Sequence, residues 1–131
     1  MIDGDTLVAN VEGSEERVRL IGIDTPESVD PRRPVECFGK EASRFLTDLL
    51  PEGTRLDVVL DAEARDRYGR LLAYVYRAED DLFVNLELVE EGYAQLLTYP
   101  PNVAHADEFL DAQGAARDAN RGLWSACDAI A

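Results

Sequence analysis

Residues 5–24 read DTLVANVEGSEERVRLIGID, and this stretch decides the fold. It contains two runs rich in β-branched and apolar residues, Leu7–Val11 and Arg17–Ile23, with the turn-forming residues Gly13-Ser14-Glu15 between them. Two such runs on either side of a glycine-containing turn predict an antiparallel hairpin.

Two more strands are predicted further along the chain. Leu56, Val58 and Leu60 recur at the two-residue period of a strand. The β-rich run Leu71–Tyr76 follows a turn at Tyr68-Gly69-Arg70. Together with the hairpin, these runs predict four strands.

Three helices are predicted as well. An apolar stripe at helical spacing extends over Ala42–Leu50 and ends before a proline. A short helix is predicted from Asn85, a residue type favoured as an N-cap, to Glu91, and a third from Ala106 to a stop at residues 120–122. Because strands and helices are segregated rather than alternating, the pattern predicts an α+β domain with a small antiparallel sheet or barrel, not a parallel α/β fold.

The composition predicts one globular domain over residues 1–131. Hydrophobic residues make up 46% of the chain, enough for a single core, and no repeat or linker divides it. No apolar run is long enough to predict a membrane span, and the first residues lack the charged and apolar regions of a signal peptide. The formal net charge of −14 taken alone argues against a nucleic-acid partner, which usually requires a basic surface.

The choice of cations is also unusual, because Lys40 is the only lysine among the 13 basic residues. An acidic, lysine-poor surface is expected of a halophilic protein that stays soluble in strong salt, since net charge opposes association. Compositional drift is the alternative explanation.

Acidic residues lie at the ends of the predicted hairpin strands. Pairing of the strands would bring Asp5, at the start of the first, close to Asp24, at the end of the second, with Asp3 and Glu27 nearby. Crowded carboxylates repel one another unless a cation lies among them, and hard oxygen ligands suit Ca²⁺ or Mg²⁺. The absence of a Cys/His cluster argues against zinc. The alternative for each acid is a role in a turn or a helix cap, which is the better interpretation for Asp3.

Two arginines extend this candidate site. Arg19 lies on the second predicted strand, and Arg70 follows the turn at Gly69. A divalent cation and two arginines would outweigh three carboxylates, so the site could receive a phosphodiester, whose oxygens match the planar fork of arginine. A carboxylate close to the cation would activate or orient an attacking water. The alternative is that both arginines form structural salt bridges.

At these residues the sequence resembles the staphylococcal nuclease (thermonuclease) family. The matching segments occur in the family's order and extend over nearly the whole chain: IDGDT at 2–6, VRLIGIDTPE at 18–27, GKEAS at 39–43, DRYGRLLAYVY at 66–76 and GLW at 122–124. The resemblance implies an OB-type barrel with three helices. It also implies Ca²⁺-dependent cleavage of DNA and RNA to products that end in 3′-phosphates.

The resemblance assigns roles to single positions. Asp5 and Asp24 match the family's metal carboxylates, and Thr25 matches the position whose backbone carbonyl also binds the ion. Glu27 matches the proposed general base. The two phosphate-binding arginines of the family, which stabilise the transition state, correspond here to Arg19 and Arg70.

The substrate-binding positions are partly retained. Arg67 and Tyr68 resemble the family's basic residue and tyrosine before Gly-Arg, and Tyr99 matches a tyrosine beside the base pocket. Leu97 stands where the type member has another tyrosine, so base preference could differ. Family members also have a complete first strand before IDGDT, whereas only Met1 precedes it here. We therefore expect either a start further upstream or a barrel without its first strand, with an unpaired edge.

Cys37 and Cys127 allow one disulfide, which we expect to form and which would favour a site outside the cytoplasm. The expected enzyme is a monomeric, Ca²⁺-dependent nuclease with DNA and RNA as substrates. A non-catalytic OB-fold module that binds nucleic acid or protein is the alternative. Retention of all the matching site positions favours the enzyme.

Overall fold

The predicted hairpin is the first feature of the fold. In the computed structural model, which describes residues 4–26 and 37–127, strand β1 is Thr6–Val11 and β2 is Ser14–Leu20. The strands pair antiparallel, with Thr6 opposite Arg19. This pairing confirms the hairpin.

The remaining elements include the other predicted strands and helices. In chain order they are β3 Ile23–Asp24, α1 Gly39–Leu49, β4 Leu56–Val59, β5 Leu71–Arg77, β6 Leu82–Phe83, α2 Val84–Glu90, β7 Gln95–Leu96, α3 Ala106–Asp118 and α4 Leu123–Ala126. The single-turn α4 is a fourth helix that the sequence patterns did not predict. None of the helices in the described parts of the chain is long and apolar enough to cross a membrane.

The larger sheet has the strand order β1-β2-β5-β4, with β6 paired to β5. Its strands are antiparallel except for β2 and β5, which are parallel. Parallel neighbours need a long connection, and the chain between these two strands provides one that contains α1 and β4. The curled sheet and its helices confirm the α+β class and agree with an OB-type fold.

The predicted strand Arg17–Ile23 is not continuous. β2 ends at Leu20, and the chain turns at Gly22, where φ is +85°. A side chain at Gly22 would also collide with the ring of Phe109. After this turn, β3 pairs with β7 instead of extending β2, and this places Asp24 on a separate short ladder.

Asn85 is not the N-cap that the sequence predicted. Helix α2 begins at Val84, so Asn85 lies in its first turn and is fully buried. Its side chain accepts the N–H of Val75 at 2.9 Å and donates to the carbonyls of Ile21 at 3.0 Å and Ala73 at 3.2 Å. Asn85 therefore joins α2 to strand β5 and to the turn after β2.

The hydrophobic core lies between the large sheet and helices α1 and α2. Its fully buried side chains include Val18, Leu20, Leu46, Ala73, Val75, Val84, Leu88 and Val89. A second cluster of Ile21, Tyr74 and Phe109 packs α3 against β5. Tyr74 is 2% exposed, in agreement with the packing role expected for it.

A disulfide joins Cys37, just before α1, to Cys127, just after α4. The two residues are 90 positions apart. The bond therefore links the start of the first helix to the end of the last.

Candidate active site

Asp5 and Asp24 both face the guanidinium of Arg19. Nη2 of Arg19 lies 3.4 Å from Oδ2 of Asp5 and 3.7 Å from Oδ1 of Asp24. The hairpin register brings Asp5 here, because Thr6 pairs with Arg19 at the end of β2. Nη1 of Arg19 also donates to the carbonyl of Leu20 at 2.7 Å, which fixes the orientation of the guanidinium.

Asp5 is held in place by hydrogen bonds. Its Oδ2 accepts the backbone N–H of Thr25 at 3.0 Å, and its Oδ1 accepts the hydroxyl of Thr6 at 3.1 Å. Gly4 allows this close packing, because a Cβ there would lie 2.9 Å from Cβ of Ala42 and 3.0 Å from Cγ2 of Thr25. The glycine of the IDGDT segment therefore lets the loop approach helix α1.

The donor set at this end of the hairpin fits a hard divalent cation. The side chain of Asp5 is 9% exposed and that of Asp24 is 59% exposed, so a buried and a solvent-facing carboxylate lie side by side. Within the described residues, Oγ1 of Thr25 is buried without a hydrogen-bond partner. Carboxylate and carbonyl oxygens are ligands that Ca²⁺ and Mg²⁺ prefer.

Carboxylates alone do not complete such a site in the part of the chain that the structure describes. There, no group of three or more His, Cys, Asp or Glu side chains could hold a metal ion. The carbonyl of Thr25, which the resemblance described above implies as a further ligand, would add an oxygen beside Asp5 and Asp24. Glu27, the third predicted carboxylate, and Asp3 both lie outside the described residues.

Arg70 lies at the end of a turn that Asp66 organises. Oδ2 of Asp66 accepts Nε–H of Arg70 at 2.6 Å, and Oδ1 accepts the backbone N–H of Tyr68 at 3.0 Å and of Arg70 at 2.9 Å. Burial opposes ionisation of Asp66, but the hydrogen bonds from Arg70 outweigh it and lower the pKa of this carboxyl. Asp66 therefore remains an ionised partner of Arg70 at neutral pH.

Tyr68 presents its ring at the tip of the same turn and is 68% exposed. The Cζ atoms of Arg67 and Arg70 lie 4.9 Å and 5.5 Å from the ring centroid, within cation–π range. Arg67 also donates to the hydroxyl of Tyr68 at 2.7 Å. The ring is thus held by two cations and still has exposed surface on which a base can stack.

The parallel ladder of β2 and β5 aligns the two site arginines. Arg19 lies opposite Leu72, and Arg70 is two residues before Leu72. Arg70 directly precedes β5, which begins at Leu71. The ladder therefore brings Arg19 and Arg70 to neighbouring parts of the sheet, one on β2 and the other at the start of β5.

Tyr99 lies on a separate turn and is 70% exposed. The backbone carbonyl of Tyr99 accepts the N–H of Asn102 at 3.0 Å. The side chain of Asn102 accepts the N–H of Glu63 at 2.7 Å and donates to the carbonyl of Glu63 at 2.9 Å. This turn is therefore anchored to the segment that leads into the turn of Tyr68. The backbone N–H of Leu97 bonds the carbonyl of Gly22 at 2.9 Å, which places Leu97 beside the turn that leads to Asp24.

Asp61 ties the loop before α3 to strand β5. Its Oδ2 accepts the hydroxyl of Tyr74 at 2.6 Å and the N–H of Ala104 at 3.2 Å. The bond from Tyr74 lowers the pKa of Asp61 in spite of the opposing effect of burial. Burial and the same bond raise the pKa of Tyr74.

Sequence reasoning missed two side chains that hold the site together. Asp66 could have been found, because an aspartate that begins a turn ending in glycine commonly binds the backbone N–H groups that follow. Glu16, which bonds Arg65, carries no such local signal, because its partner is 49 positions away.

Comparison with known proteins agrees with this arrangement. Residues 17–126 match the family described as "Staphylococcal nuclease homologue". The chain is 43% identical over 124 residues to the thermonuclease of Staphylococcus intermedius, covering 95% of this chain and 72% of that protein. It is 39% identical over 126 residues to the thermonuclease of Staphylococcus hyicus, with the same coverage of each chain. It is also 39% identical over 127 residues to endonuclease YncB of Bacillus subtilis (strain 168), covering 95% of this chain and 58% of that protein.

The matched region begins within β2, contains β5 and the turn between Arg65 and Arg70, and ends at the last residue of α4. The match therefore includes Arg19, Asp24, Arg70 and the strands that align them. With this coverage and identity, the chain belongs to the staphylococcal nuclease family.

Proposed function

We propose that this chain is a Ca²⁺-dependent nuclease that hydrolyses DNA and RNA with little sequence specificity and leaves 3′-phosphate ends. The nuclease activity is supported by the similarity of this chain to proteins named thermonuclease and endonuclease. The observation that supports this chemistry most directly is the convergence of Asp5 and Asp24 on Arg19. We further propose that the enzyme acts as a monomer of one domain.

In this mechanism, Asp5, Asp24 and the carbonyl of Thr25 would hold the cation. When bound, the ion supplies positive charge against the phosphate oxygens. Arg19 is oriented by the carbonyl of Leu20 and binds the phosphate from β2. Because the guanidinium of Arg19 is already in position before the reaction starts, it stabilises the negative charge that develops on the phosphate oxygens in the transition state.

The attacking water and the scissile phosphate are handled by different residues. Glu27 activates or orients the water that attacks phosphorus; as the new O–P bond forms, the P–O5′ bond in line with it breaks, and the leaving 5′ oxygen takes up a proton from solvent. Arg70, held by Asp66, binds the phosphate from the other strand. The exposed rings of Tyr68 and Tyr99 stack on bases, and because every base has a π-face, this contact favours no particular sequence.

The formal net charge of −14 does not conflict with this function. A bound divalent cation and two arginines would make the site locally positive. At about 1 M salt the Debye length is about 3 Å, so repulsion between the acidic surface and the polyanion is screened. We propose that the enzyme is adapted to strong salt and binds through short-range contacts.

Cleavage of single-stranded DNA and of RNA, measured with Ca²⁺ and with EGTA, tests the proposal. Cleavage should need Ca²⁺, and Glu27→Gln should lose most of it. A dephosphorylation assay on the products should find the phosphate at the 3′ end. No cleavage above the Glu27→Gln variant at either low or molar salt would reject the enzyme and favour the binding module.

The same assay across salt concentrations tests the adaptation to salt. Activity should persist between about 0.1 and 1 M salt, unlike that of a basic protein that releases counterions on binding. A steep loss of activity over this range would reject the halophilic adaptation but leave the nuclease in place.

A further inference from the structure

We propose that the ion pair between Glu16 and Arg65 holds the turn of residues 65–70 against strand β2 and thereby positions Arg67 and Tyr68 before a nucleic acid binds. This inference rests on the proposed nuclease function. It assigns Glu16 and Arg65 as positioning residues, because neither is expected to touch the reacting atoms.

The contact has the geometry of a two-point fork. Nη1 and Nη2 of Arg65 each lie 2.9 Å from one carboxylate oxygen of Glu16. Nη1 of Arg65 also donates to the carbonyl of Gly69 at 2.9 Å. A single guanidinium therefore bonds the strand on one side and the tip of the turn on the other, and paired parallel bonds fix direction as well as distance.

The turn projects beyond the region where β2 and β5 pair. The ladder between these strands covers Val18–Leu20 and Leu71–Ala73, so it stops short of the turn. Among the described residues, the other side-chain hydrogen bonds and ion pairs of residues 65–70 stay within the turn, and the backbone of Arg65 pairs with Leu71 at the start of β5. The Glu16–Arg65 pair is therefore the side-chain link from the described turn to the neighbouring strand.

The pair also resolves a conflict of charge. Glu16 is an acidic residue on the strand that carries Arg19, where an uncompensated carboxylate would repel a polyanion. The hydrogen bond from Arg65 lowers the pKa of Glu16 and so keeps it ionised and paired. The side chains of Glu16 and Arg65 are 20% and 48% exposed, so the pair lies at the surface and is not a core contact.

The two ends of the turn should respond differently when the pair is lost. Arg70 is bonded by Asp66 and adjoins β5, so its position does not depend on Glu16. Arg67 and Tyr68 lie at the projecting tip. Loss of the pair should therefore weaken substrate binding much more than it slows the chemical step.

Kinetics of Glu16→Gln, with Glu15→Gln as the matched control, test this. Both variants remove one negative charge from β2, but only the first breaks the fork. Glu16→Gln should raise KM for single-stranded DNA about two- to fivefold, with kcat changed less than about 1.5-fold. Glu15→Gln should leave KM unchanged or lower it, because it only reduces repulsion. An equal KM in the two variants would overturn the proposal.

A double-mutant cycle separates positioning from direct phosphate binding by Arg65. If the two residues act as a unit, Glu16→Gln combined with Arg65→Gln should raise KM no more than Arg65→Gln alone. Arg65→Lys, which keeps the charge but loses the fork, should fall between the wild type and Arg65→Gln. Fully additive effects of the two Gln variants on KM would overturn the proposal.

Hydrogen exchange of the amides of residues 68–70 gives a readout that does not need catalysis. The amides of Tyr68 and Gly69 should exchange faster in Glu16→Gln than in Glu15→Gln, by about two- to fivefold, whereas the amide of Arg70, which Asp66 holds, should exchange alike in both. If Glu16→Gln exchanges faster but the wild type cuts no nucleic acid, the nuclease function is rejected and the positioning role of the Glu16–Arg65 pair is kept. Equal exchange in the two variants would overturn the positioning role of the Glu16–Arg65 pair, whether or not the protein cuts nucleic acid.

Discussion

The carboxylate of Asp66 binds Arg70 at two points, the side-chain Nε at 2.6 Å and the backbone N–H at 2.9 Å. One residue thus fixes both the start of strand β5 and the direction of a guanidinium proposed to bind phosphate. Phosphate-binding arginines act through geometry, because a misplaced cation stabilises the transition state less than an aligned one.

Asp66→Asn should therefore lower kcat about tenfold to a hundredfold with a smaller change in KM, since the affected interaction strengthens in the transition state. Steady-state kinetics on single-stranded DNA measure both constants. Asp57→Asn on strand β4 removes the same charge far along the sheet and serves as the control. The role assigned to Asp66 is wrong if the two variants lose kcat equally.

Asp5 and Asp24 should differ in what their loss does to stability. Asp24→Asn and Asp5→Asn should each raise the Ca²⁺ concentration that gives half-maximal binding, by about tenfold or more, because each removes a charged ligand. Asp5→Asn should lower Tm more than Asp24→Asn, because Asp5 is buried and accepts hydrogen bonds from Thr25 and Thr6. Calorimetric Ca²⁺ titration and thermal unfolding without Ca²⁺ measure the two effects. Unchanged Ca²⁺ affinity in both variants would show that the ion binds elsewhere.

Tyr74→Phe should destabilise the protein in a pH-dependent way. The bond from Tyr74 lowers the pKa of Asp61 below its ordinary value of 3.8, so the bond adds stability above that value and loses it as the pH falls through the pKa of the folded state. We expect a loss of about 1–2 kcal/mol in the free energy of unfolding at pH 7, shrinking as the pH falls through the lowered pKa of Asp61. Urea unfolding at several pH values measures this. Tyr76→Phe is the matched control, and a difference that grows at low pH would contradict the assignment.

Asn85→Leu should be among the most destabilising single changes. It would remove the side-chain partner of the N–H of Val75 and of the carbonyl of Ile21, and one of the two bonds to the carbonyl of Ala73, which also accepts the N–H of Ile21; together this costs about 2–4 kcal/mol. Denaturant unfolding measures the loss. Asn10→Leu in the exposed hairpin turn removes a single bond to Gly13 and should cost less than about 1 kcal/mol. Similar losses in the two variants would argue against the bridging role of Asn85.

Removal of the disulfide should lower the free energy of unfolding by about 4 kcal/mol. The reason is that the bond closes a loop of 90 positions and so restricts the unfolded chain. Cys37→Ser, Cys127→Ser and the double variant should lose the same amount, since each removes one bond. Thermal unfolding under non-reducing conditions tests this, and a thiol count on the wild type should find no free cysteine. Additive losses would show that the two cysteines act separately.

The fold was predictable where local pattern and tertiary structure agree. The hairpin around Gly13 and the apolar stripe of α1 follow from the spacing of their own residues, and both are confirmed. The prediction for Asn85 was wrong because its side chain bonds a strand and a turn that are distant in sequence. β3 and β7, of two residues each, carry too short a pattern to be recognised without their partner.

The site was predictable to a similar extent. The hairpin alone implies that Asp5 lies near the end of β2, and the structure brings Asp5, Arg19 and Asp24 together. The residues that hold the turn of Tyr68 were not predictable in the same way. The choice of Glu16 as a partner for Arg65 depends on the parallel pairing of two strands, which no local spacing encodes.

That parallel pairing also has a consequence for the order in which the molecule folds. Glu16 and Arg65 are 49 positions apart, and the strands that carry Arg19 and lead from Arg70 become neighbours only after the intervening chain is closed into a loop. Non-local closures of this kind form late and slowly compared with hairpins and helices. A newly made chain would therefore form its hairpin, with Asp5 beside Arg19, before Arg70, the second arginine proposed to bind phosphate, is in place. The ability to cut nucleic acid should appear with the last cooperative step of folding. Partly folded chains should therefore not cleave the nucleic acid around them.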